Sequence, residues 1–186
     1  ATGLVFVKGQ DVRAEGSART ISLSGNHVFV DTDSTGGNLT INSTANLLTL
    51  KNTGTNALTL TDADALVLAS VRPQGGSMTI TSGAGSDITV ANAPIELNGS
   101  NGTLTLNARK DLIINQTMLD SIGGVDNSTT INLNADNNVS FTSTGRVNAG
   151  TGTVSINATA GSVALGRVDA STISVTAAGA ITDANA

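Results

Sequence analysis

Hydrophobic and polar residues alternate in short segments along the whole chain, and these segments recur at regular intervals. A triplet with two aliphatic residues around one Ser, Thr or Asn begins at Ile21 and returns every 18–27 residues. Alternation in a strand places the two flanking residues on one face and the middle residue on the other. The pattern therefore predicts a row of short strands with an inner aliphatic ladder formed by Leu39, Ile41, Leu58, Leu60, Met78, Ile80, Leu104, Leu106, Ile131, Leu133, Val154, Ile156, Ile173 and Val175.

A second series of triplets follows the first by about eight to ten residues, and a weaker third series follows in some repeats. Gly and Asn residues between the triplets supply the positive φ angles that tight corners need. The second series comprises 28–30, 48–50, 66–68, 88–90, 112–114, 139–141 and 163–165, and Ile181 opens an eighth member. The third comprises 95–97, 147–149 and 168–170.

An internal period of this length is typical of solenoids. The pattern predicts an all-β parallel β-helix (β-solenoid) of about eight coils, with 18–27 residues per coil. An antiparallel sandwich or barrel is the alternative, and it would show hairpin dipeptides between longer strands. Residues 1–186 are expected to form a single solenoid segment with residues 1–20 as an irregular first coil. Extra residues around 84–94 and 118–130 would form a third side or outward loops.

Composition narrows the range of partners. The chain has no Cys, Trp or Tyr, only 12% charged residues and a net charge of −5. Its mean hydropathy of +0.12 argues against disorder. The scattered basic residues argue against nucleic acid and anionic lipid. No apolar run is long enough for membrane insertion. The chain begins with Ala and shows no signal peptide, so we expect a mature or excised piece of a longer protein.

The repeats resemble a known family in the segments "LTLNARKDLIIN", "INLNADNNVSF", "GSVALGRVDA" and "ISVTAAGAITDA". From about Gly37 onward the chain is similar to the repeat region of filamentous haemagglutinin-like adhesins, Gram-negative exoproteins secreted by the two-partner route. The resemblance implies a right-handed, non-catalytic β-helical shaft at the cell surface or outside the cell. The Asn-Pro motif of the family's secretion domain is absent, which indicates an interior piece of shaft.

Candidate catalytic or metal-binding residues are few. His27 is the only histidine and is expected to lie in a corner. Asp31 and Asp33, and likewise Asp62 and Asp64, are two residues apart, so each pair is a weak candidate for binding Ca²⁺ or for acid–base chemistry. Asp also caps corners by bonding its own backbone, and this interpretation is favoured. We therefore expect no cofactor, no metal and no enzymatic activity. A polysaccharide-acting β-helical enzyme is the alternative, and it requires carboxylates clustered on adjacent coils.

The outward residues suggest two kinds of contact. Phe29, Val67 and Ile113 occupy middle positions of the second series and predict an apolar stripe that is covered by a loop, a neighbouring solenoid or a receptor. Shielding by the chain's own N-terminal segment or long loops is favoured over a receptor site. Expected partners are further coils or copies, end to end or side by side, and a receptor or glycan on a host or neighbouring cell.

Outward Ser and Thr rows also raise an ice-binding hypothesis. Against it stand the variable repeat length and the replacement of Thr by Asn132, Ser155 and Ser174.

Overall fold

The computed structural model describes residues 4–9, 20–32, 38–52, 56–73, 76–91, 95–97, 102–119 and 128–185. The described residues form β-strands and no helices, and all of the strand pairs are parallel. In chain order the strands are β1 (Leu4–Gly9), β2 (Thr20–Thr32), β3 (Leu39–Asn52), β4 (Leu58–Asp62), β5 (Leu66–Pro73), β6 (Ser77–Thr81), β7 (Ile88–Val90), β8 (Ile95–Glu96), β9 (Thr103–Ala108), β10 (Leu112–Ile114), β11 (Thr117–Leu119), β12 (Thr130–Ala135), β13 (Val139–Phe141), β14 (Arg146–Asn148), β15 (Thr153–Ala158), β16 (Val163–Leu165), β17 (Arg167–Asp169), β18 (Thr172–Ala177) and β19 (Ile181–Asp183).

The strands stack in three walls around one aliphatic core. The first wall runs β2-β3-β4-β6-β9-β12-β15-β18, and the second runs β2-β3-β5-β7-β10-β13-β16-β19 with β1 beside β2. The long strands β2 and β3 cross both walls, so these walls form one sheet of 15 strands. The third wall is β8-β11-β14-β17. This architecture is a β-solenoid of about 7 turns, where about eight coils were predicted. It confirms the predicted parallel β-solenoid fold and excludes the antiparallel alternative. Its right-handedness stays a prediction.

The inner ladder of the first wall is in unbroken register from β4 to β18. Met78 lies beside Leu58 on one side and Leu104 on the other, and Leu104 lies beside Ile131. The aliphatic residues that point to the axis from β4, β6, β9, β12 and β15 are fully buried. Burial of each such side chain contributes about 1.5–3 kcal/mol, so the ladder is the main source of cohesion.

Two pairings differ from the simple alignment of triplets. Ile21 lies beside Ile41 rather than Leu39, because β2 and β3 run on without a turn and the second-wall triplets set their pairing. A slip of two residues keeps the same faces inward, so the alternating pattern does not detect it. Leu48 lies beside Leu68 rather than Leu66, and the register then shifts between Leu48 and Thr49. One extra residue in β5 produces this bulge-like irregularity.

The third wall is more complete than the weak triplet series indicated. Met118 on β11 lies between Ile95 and Val147 and is fully buried. Of the segment 118–130, residues 120–127 lie outside the described part. Of the predicted irregular first coil, residues 1–20, the structure describes β1 and Thr20. Strand β1 pairs with the second-wall half of β2.

The last described coil leaves part of the ladder uncovered. Ile173 and Ile181 face the axis, in register with Val154 and Val163, but are 46% and 53% exposed. No described strand lies beyond β18 and β19. A sheet edge without a neighbouring strand favours pairing with a further strand.

Candidate functional site

The outward face of the first wall is chemically uniform. We call it the polar wall and define it by the outward residues of β4, β6, β9, β12, β15 and β18. None of these residues is charged or aromatic. They are Thr59, Thr61, Ser77, Thr79, Thr81, Thr103, Thr105, Asn107, Thr130, Asn132, Asn134, Thr153, Ser155, Asn157, Thr172, Ser174 and Thr176.

Amide side chains on the polar wall are held in rows along the solenoid axis. Asn134 Nδ2 donates to Asn107 Oδ1 over 2.9 Å, and Asn132 Nδ2 donates to Thr105 Oγ1 over 3.3 Å. Asn107 Nδ2 in turn donates to Thr81 Oγ1 over 3.4 Å. These bonds between coils orient the Asn side chains along the wall.

A second row of polar groups, here called the corner ladder, lies where the first wall turns into the second. Its members are Asp87, Asp111, Asn138 and Ser162. The backbone N–H of Asp111 donates to Asp87 Oδ1 over 3.1 Å, and that of Asn138 donates to Asp111 Oδ1 over 3.0 Å. The backbone N–H groups of Ser162 and Ala180 donate to the preceding members in the same way, over 2.9 Å and 3.1 Å. The corner ladder therefore satisfies backbone donors that the strands leave unpaired.

Charge is concentrated at this corner. Lys110 Nζ lies 3.2 Å from Asp87 Oδ1 and 3.6 Å from Asp111 Oδ2. The hydrogen bond and the charge of Asp87 raise the pKa of Lys110. Burial acts to raise the pKa of Asp111, but hydrogen bonds from Asn138 and Asn137 and the charge of Lys110 outweigh burial and lower that pKa. Asp111 is thus a carboxylate that accepts hydrogen bonds.

The lowered pKa predicts how acid affects stability. Because the folded-state pKa of Asp111 lies below its unfolded value, the ionised carboxylate stabilises the fold above about pH 3.9. This contribution is lost as the pH falls through the lowered folded-state value. Asp111→Asn keeps an acceptor oxygen but no longer titrates, so its unfolding free energy should fall less between about pH 4 and pH 2 than that of the parent. Urea unfolding across this range measures the difference, and an identical decline in both proteins would contradict it.

A shallow groove crosses the outer face of the second wall beside the corner ladder. It encloses about 340 Å³ and is floored by Ile113, Ser140 and Ala164. Thr182 closes one end, and Asp111, Asn138 and Ser162 form the polar rim. We call it the second-wall groove. Apolar floors with a few polar groups are typical of ligand sites.

The predicted apolar stripe reaches this groove but is interrupted. Ile113 lines the groove, whereas Phe29 and Val67 are separated from it by Thr89, and Thr49 lies beside Phe29. All three stripe residues are half-buried. Phe29 also stacks on the Phe6 ring, with centroids 4.7 Å apart. The three residues therefore do not share one continuous surface.

The structure separates the candidate carboxylates and His27. Asp31 Oδ1 lies 3.7 Å from Lys51 Nζ, and Asp33 lies outside the described residues. His27 Nε2 is hydrogen-bonded to Thr49 Oγ1 over 3.0 Å. Asp64 is exposed. Within the described ranges, no three His, Asp or Glu residues are grouped so that they could hold a metal ion.

Asp62 is instead the acceptor at a buried corner. Its carboxylate accepts hydrogen bonds from the Ser43 hydroxyl, from the Ala45 N–H over 2.9 Å and from the Asp64 N–H over 2.9 Å. It is 1% exposed. The residue that sequence reasoning considered for metal or catalysis is used to close a turn.

Asp62→Ala should destabilise the protein by about 2–3 kcal/mol, because it leaves these buried donors without an acceptor. The matched control is Asp64→Ala, two residues away and exposed, which should change stability by less than about 0.5 kcal/mol. Chemical denaturation followed by circular dichroism compares the two variants. Equal effects would show that Asp62 does not have this role.

Sequence reasoning missed the corner ladder, although a signal for it exists. Each member directly precedes a second-wall triplet, as in Asp111-Leu112 and Asn138-Val139. An Asp, Asn or Ser at this fixed place in successive coils indicates a shared hydrogen-bonding role. The corner ladder also places two carboxylates, Asp87 and Asp111, on adjacent coils, which the triplet alignment did not predict.

No described part of the chain contains a helix long and apolar enough to cross a bilayer.

Comparison with known proteins found no relative of this chain. No family model matches the chain, and no curated protein or solved structure shows significant similarity to it.

Proposed function

We propose that the chain is a rigid, non-catalytic segment of an extracellular adhesive shaft of the filamentous haemagglutinin type, at the surface of a Gram-negative bacterium. The observation that supports this most strongly is the inner ladder, which continues without a register shift from β4 to β18. Each coil bonds only to its neighbours, so stability and length grow together with coil number. A stack of this kind resists bending and suits a spacer.

The exposed residues Ile173 on β18 and Ile181 on β19 form an aliphatic surface on which a further coil can stack. We propose that another parallel coil stacks there, from the same protein or from a second copy. The segment "TISV" at 172–175 closely matches "TISL" at 20–23, which opens the first wall. A copy placed end to end would therefore set aliphatic residues over Ile173 and Val175.

Electron microscopy of the purified chain tests the shaft proposal. Straight rods of constant width are expected, either short or joined into fibres. Ile173→Lys, which places a charge on the uncovered ladder, should shorten any fibres without changing the width of single rods. Flexible or globular particles would contradict the shaft, whereas fibres unaffected by Ile173→Lys would contradict only the end-to-end contact.

The second-wall groove is the place where we propose contact with a receptor or glycan on a host or neighbouring cell. The apolar residues Ile113 and Ala164 of its floor and its polar rim support this choice. Ser140→Arg should fill the groove and abolish binding to cells that bind the parent protein. Thr89→Arg, an outward position two coils earlier on the same wall, is the matched control. Equal binding by both variants would place the contact elsewhere.

A polysaccharide-acting enzyme is the second candidate, because Asp87 and Asp111 lie on adjacent coils and Asp111 lines the groove. Their arrangement supports it less well than the shaft. One oxygen of each carboxylate accepts a backbone N–H, and the lowered pKa of Asp111 disfavours the protonated form that a general acid needs. Release of reducing or unsaturated ends from polysaccharides by the parent, but not by Asp111→Asn, would establish the enzyme instead.

A further inference from the structure

Three consecutive strands of the polar wall each present two outward threonines. β4 contributes Thr59 and Thr61, β6 contributes Thr79 and Thr81, and β9 contributes Thr103 and Thr105. We call this group the threonine patch. We propose that the threonine patch binds the surface of crystalline water, which makes the protein an ice-binding solenoid in addition to any adhesive role.

The strands under the patch are in register, although coil lengths vary. Thr59 lies beside Thr79, and Thr79 beside Thr105, so these three residues form one row of threonines. In the rows on either side, Thr61 and Thr81 are followed by Asn107, and Thr103 lies beside Ser77. The pairing of β4, β6 and β9 is continuous, so the differences in coil length do not shift the register of these strands. Variable repeat length therefore does not disturb the alignment of the patch. Strand geometry spaces the hydroxyls about 4.8 Å apart along the axis and about 6.6 Å apart along each strand.

The chemistry of the patch excludes several other ligand classes. It lacks the cations that nucleic acids and anionic lipids need. It lacks the aromatic residues and Arg that are enriched at protein interfaces. Among the described residues, no charged side chain belongs to the outward face of the polar wall, whereas Lys110 lies at a corner and Arg146 and Arg167 lie on the third wall. A neutral face fits a neutral ligand.

Threonine suits a crystal of water in two respects. Its hydroxyl both donates and accepts a hydrogen bond, as each water molecule does. Its branched β-carbon restricts the χ1 angle, so the hydroxyl and methyl positions are already ordered before binding and little entropy is lost. Thr81 and Thr105 already accept hydrogen bonds from Asn107 and Asn132, and each hydroxyl keeps a donor and a second lone pair for water. The row Thr59, Thr79 and Thr105, flanked by further uncharged polar residues, presents aligned hydroxyls to an uncharged array of oxygen atoms. The proposal rests on the register and composition of the polar wall and not on the shaft proposal.

The test measures thermal hysteresis and inhibition of ice recrystallisation by the purified chain. Thr79→Lys places a long, charged side chain at the centre of the patch and should abolish both activities. Thr89→Lys is the matched control, because Thr89 is the outward middle residue of the second-wall triplet in the same coil. This control should retain the activity of the parent. Circular dichroism and melting curves confirm that both variants are folded, and Thr79→Ala gives a milder test if Thr79→Lys is not.

Three results would overturn the proposal. The first is a folded parent protein without thermal hysteresis or recrystallisation inhibition. The second is equal loss of activity in the Thr79 and Thr89 variants, which would move the ice contact off the patch. The third is adsorption to crystalline cellulose without any effect on ice, which would identify an insoluble polysaccharide as the ligand.

Discussion

Leu106→Asp is expected to abolish the cooperative unfolding transition of the native protein at room temperature. Leu106 is 0% exposed and lies between Ile80 and Leu133 in the inner ladder. An unpaired carboxylate at this position costs several kcal/mol, and the substitution also removes an aliphatic side chain worth about 2–5 kcal/mol. Since whole domains are stable by only about 5–15 kcal/mol, the stack should fail at this coil.

The matched control is Thr105→Asp, one residue earlier and outward on the same strand. Because its carboxylate reaches water, the free energy of unfolding should change by no more than about 1 kcal/mol. Thermal and urea unfolding, followed by far-ultraviolet circular dichroism, compare the two variants with the parent. Equal stability of Leu106→Asp and the parent would show that Leu106 does not face the core.

Gly145→Val is expected to produce the second large effect. A Cβ atom at Gly145 would lie 1.9 Å from the carbonyl oxygen of Ile114, which belongs to the coil below. This contact is with backbone in a wall of the solenoid, so neither partner can move aside without breaking hydrogen bonds between coils. Even Gly145→Ala should cost about 3 kcal/mol, and Gly145→Val more, as strained and overpacked substitutions do.

Gly85→Ala is the control for this prediction. Gly85 has a φ of +69°, but a Cβ atom added there would meet no heavy atom within 4 Å, so only backbone strain of about 1 kcal/mol is expected. Urea midpoints of the two Ala variants give the comparison. If Gly145→Ala proved no more destabilising than Gly85→Ala, the close approach of the coils at this corner would be refuted.

The alternating pattern was sufficient to predict the walls and the residues that face inward. In a strand, Leu104 and Leu106 point to one face and Thr105 points to the other. Only the orientation with both leucines inward buries the aliphatic side chains. The pairing of Ile21 with Ile41 was not predictable in this way, because a shift of two residues leaves every side chain on its original face. The irregularity after Leu48 was missed for a related reason, since a single extra residue is local and leaves the triplets intact.

The polar features of the surface were harder to predict than the core. Asp62 was recognised as a candidate for corner capping or metal binding, and only the positions of Ser43 and Ala45 around it assign it to the corner. The corner ladder depends on bonds between residues 18–27 apart in the sequence. The continuous register of the polar wall was not evident, because repeat length in the sequence includes the connecting residues as well as the strands of the first wall.

Cysteine pairs test the parallel stacking of coils most directly, because the chain has no cysteine of its own. Parallel register places Thr103 beside Thr130 and Asn107 beside Asn134. Neighbouring Cα atoms about 4.8 Å apart are within reach of a disulfide. The double variants Thr103→Cys/Thr130→Cys and Asn107→Cys/Asn134→Cys should therefore both form an intramolecular disulfide on mild oxidation. Rapid crosslinking of the swapped pairs, Thr103→Cys/Asn134→Cys and Asn107→Cys/Thr130→Cys, would instead show antiparallel strands and contradict the solenoid.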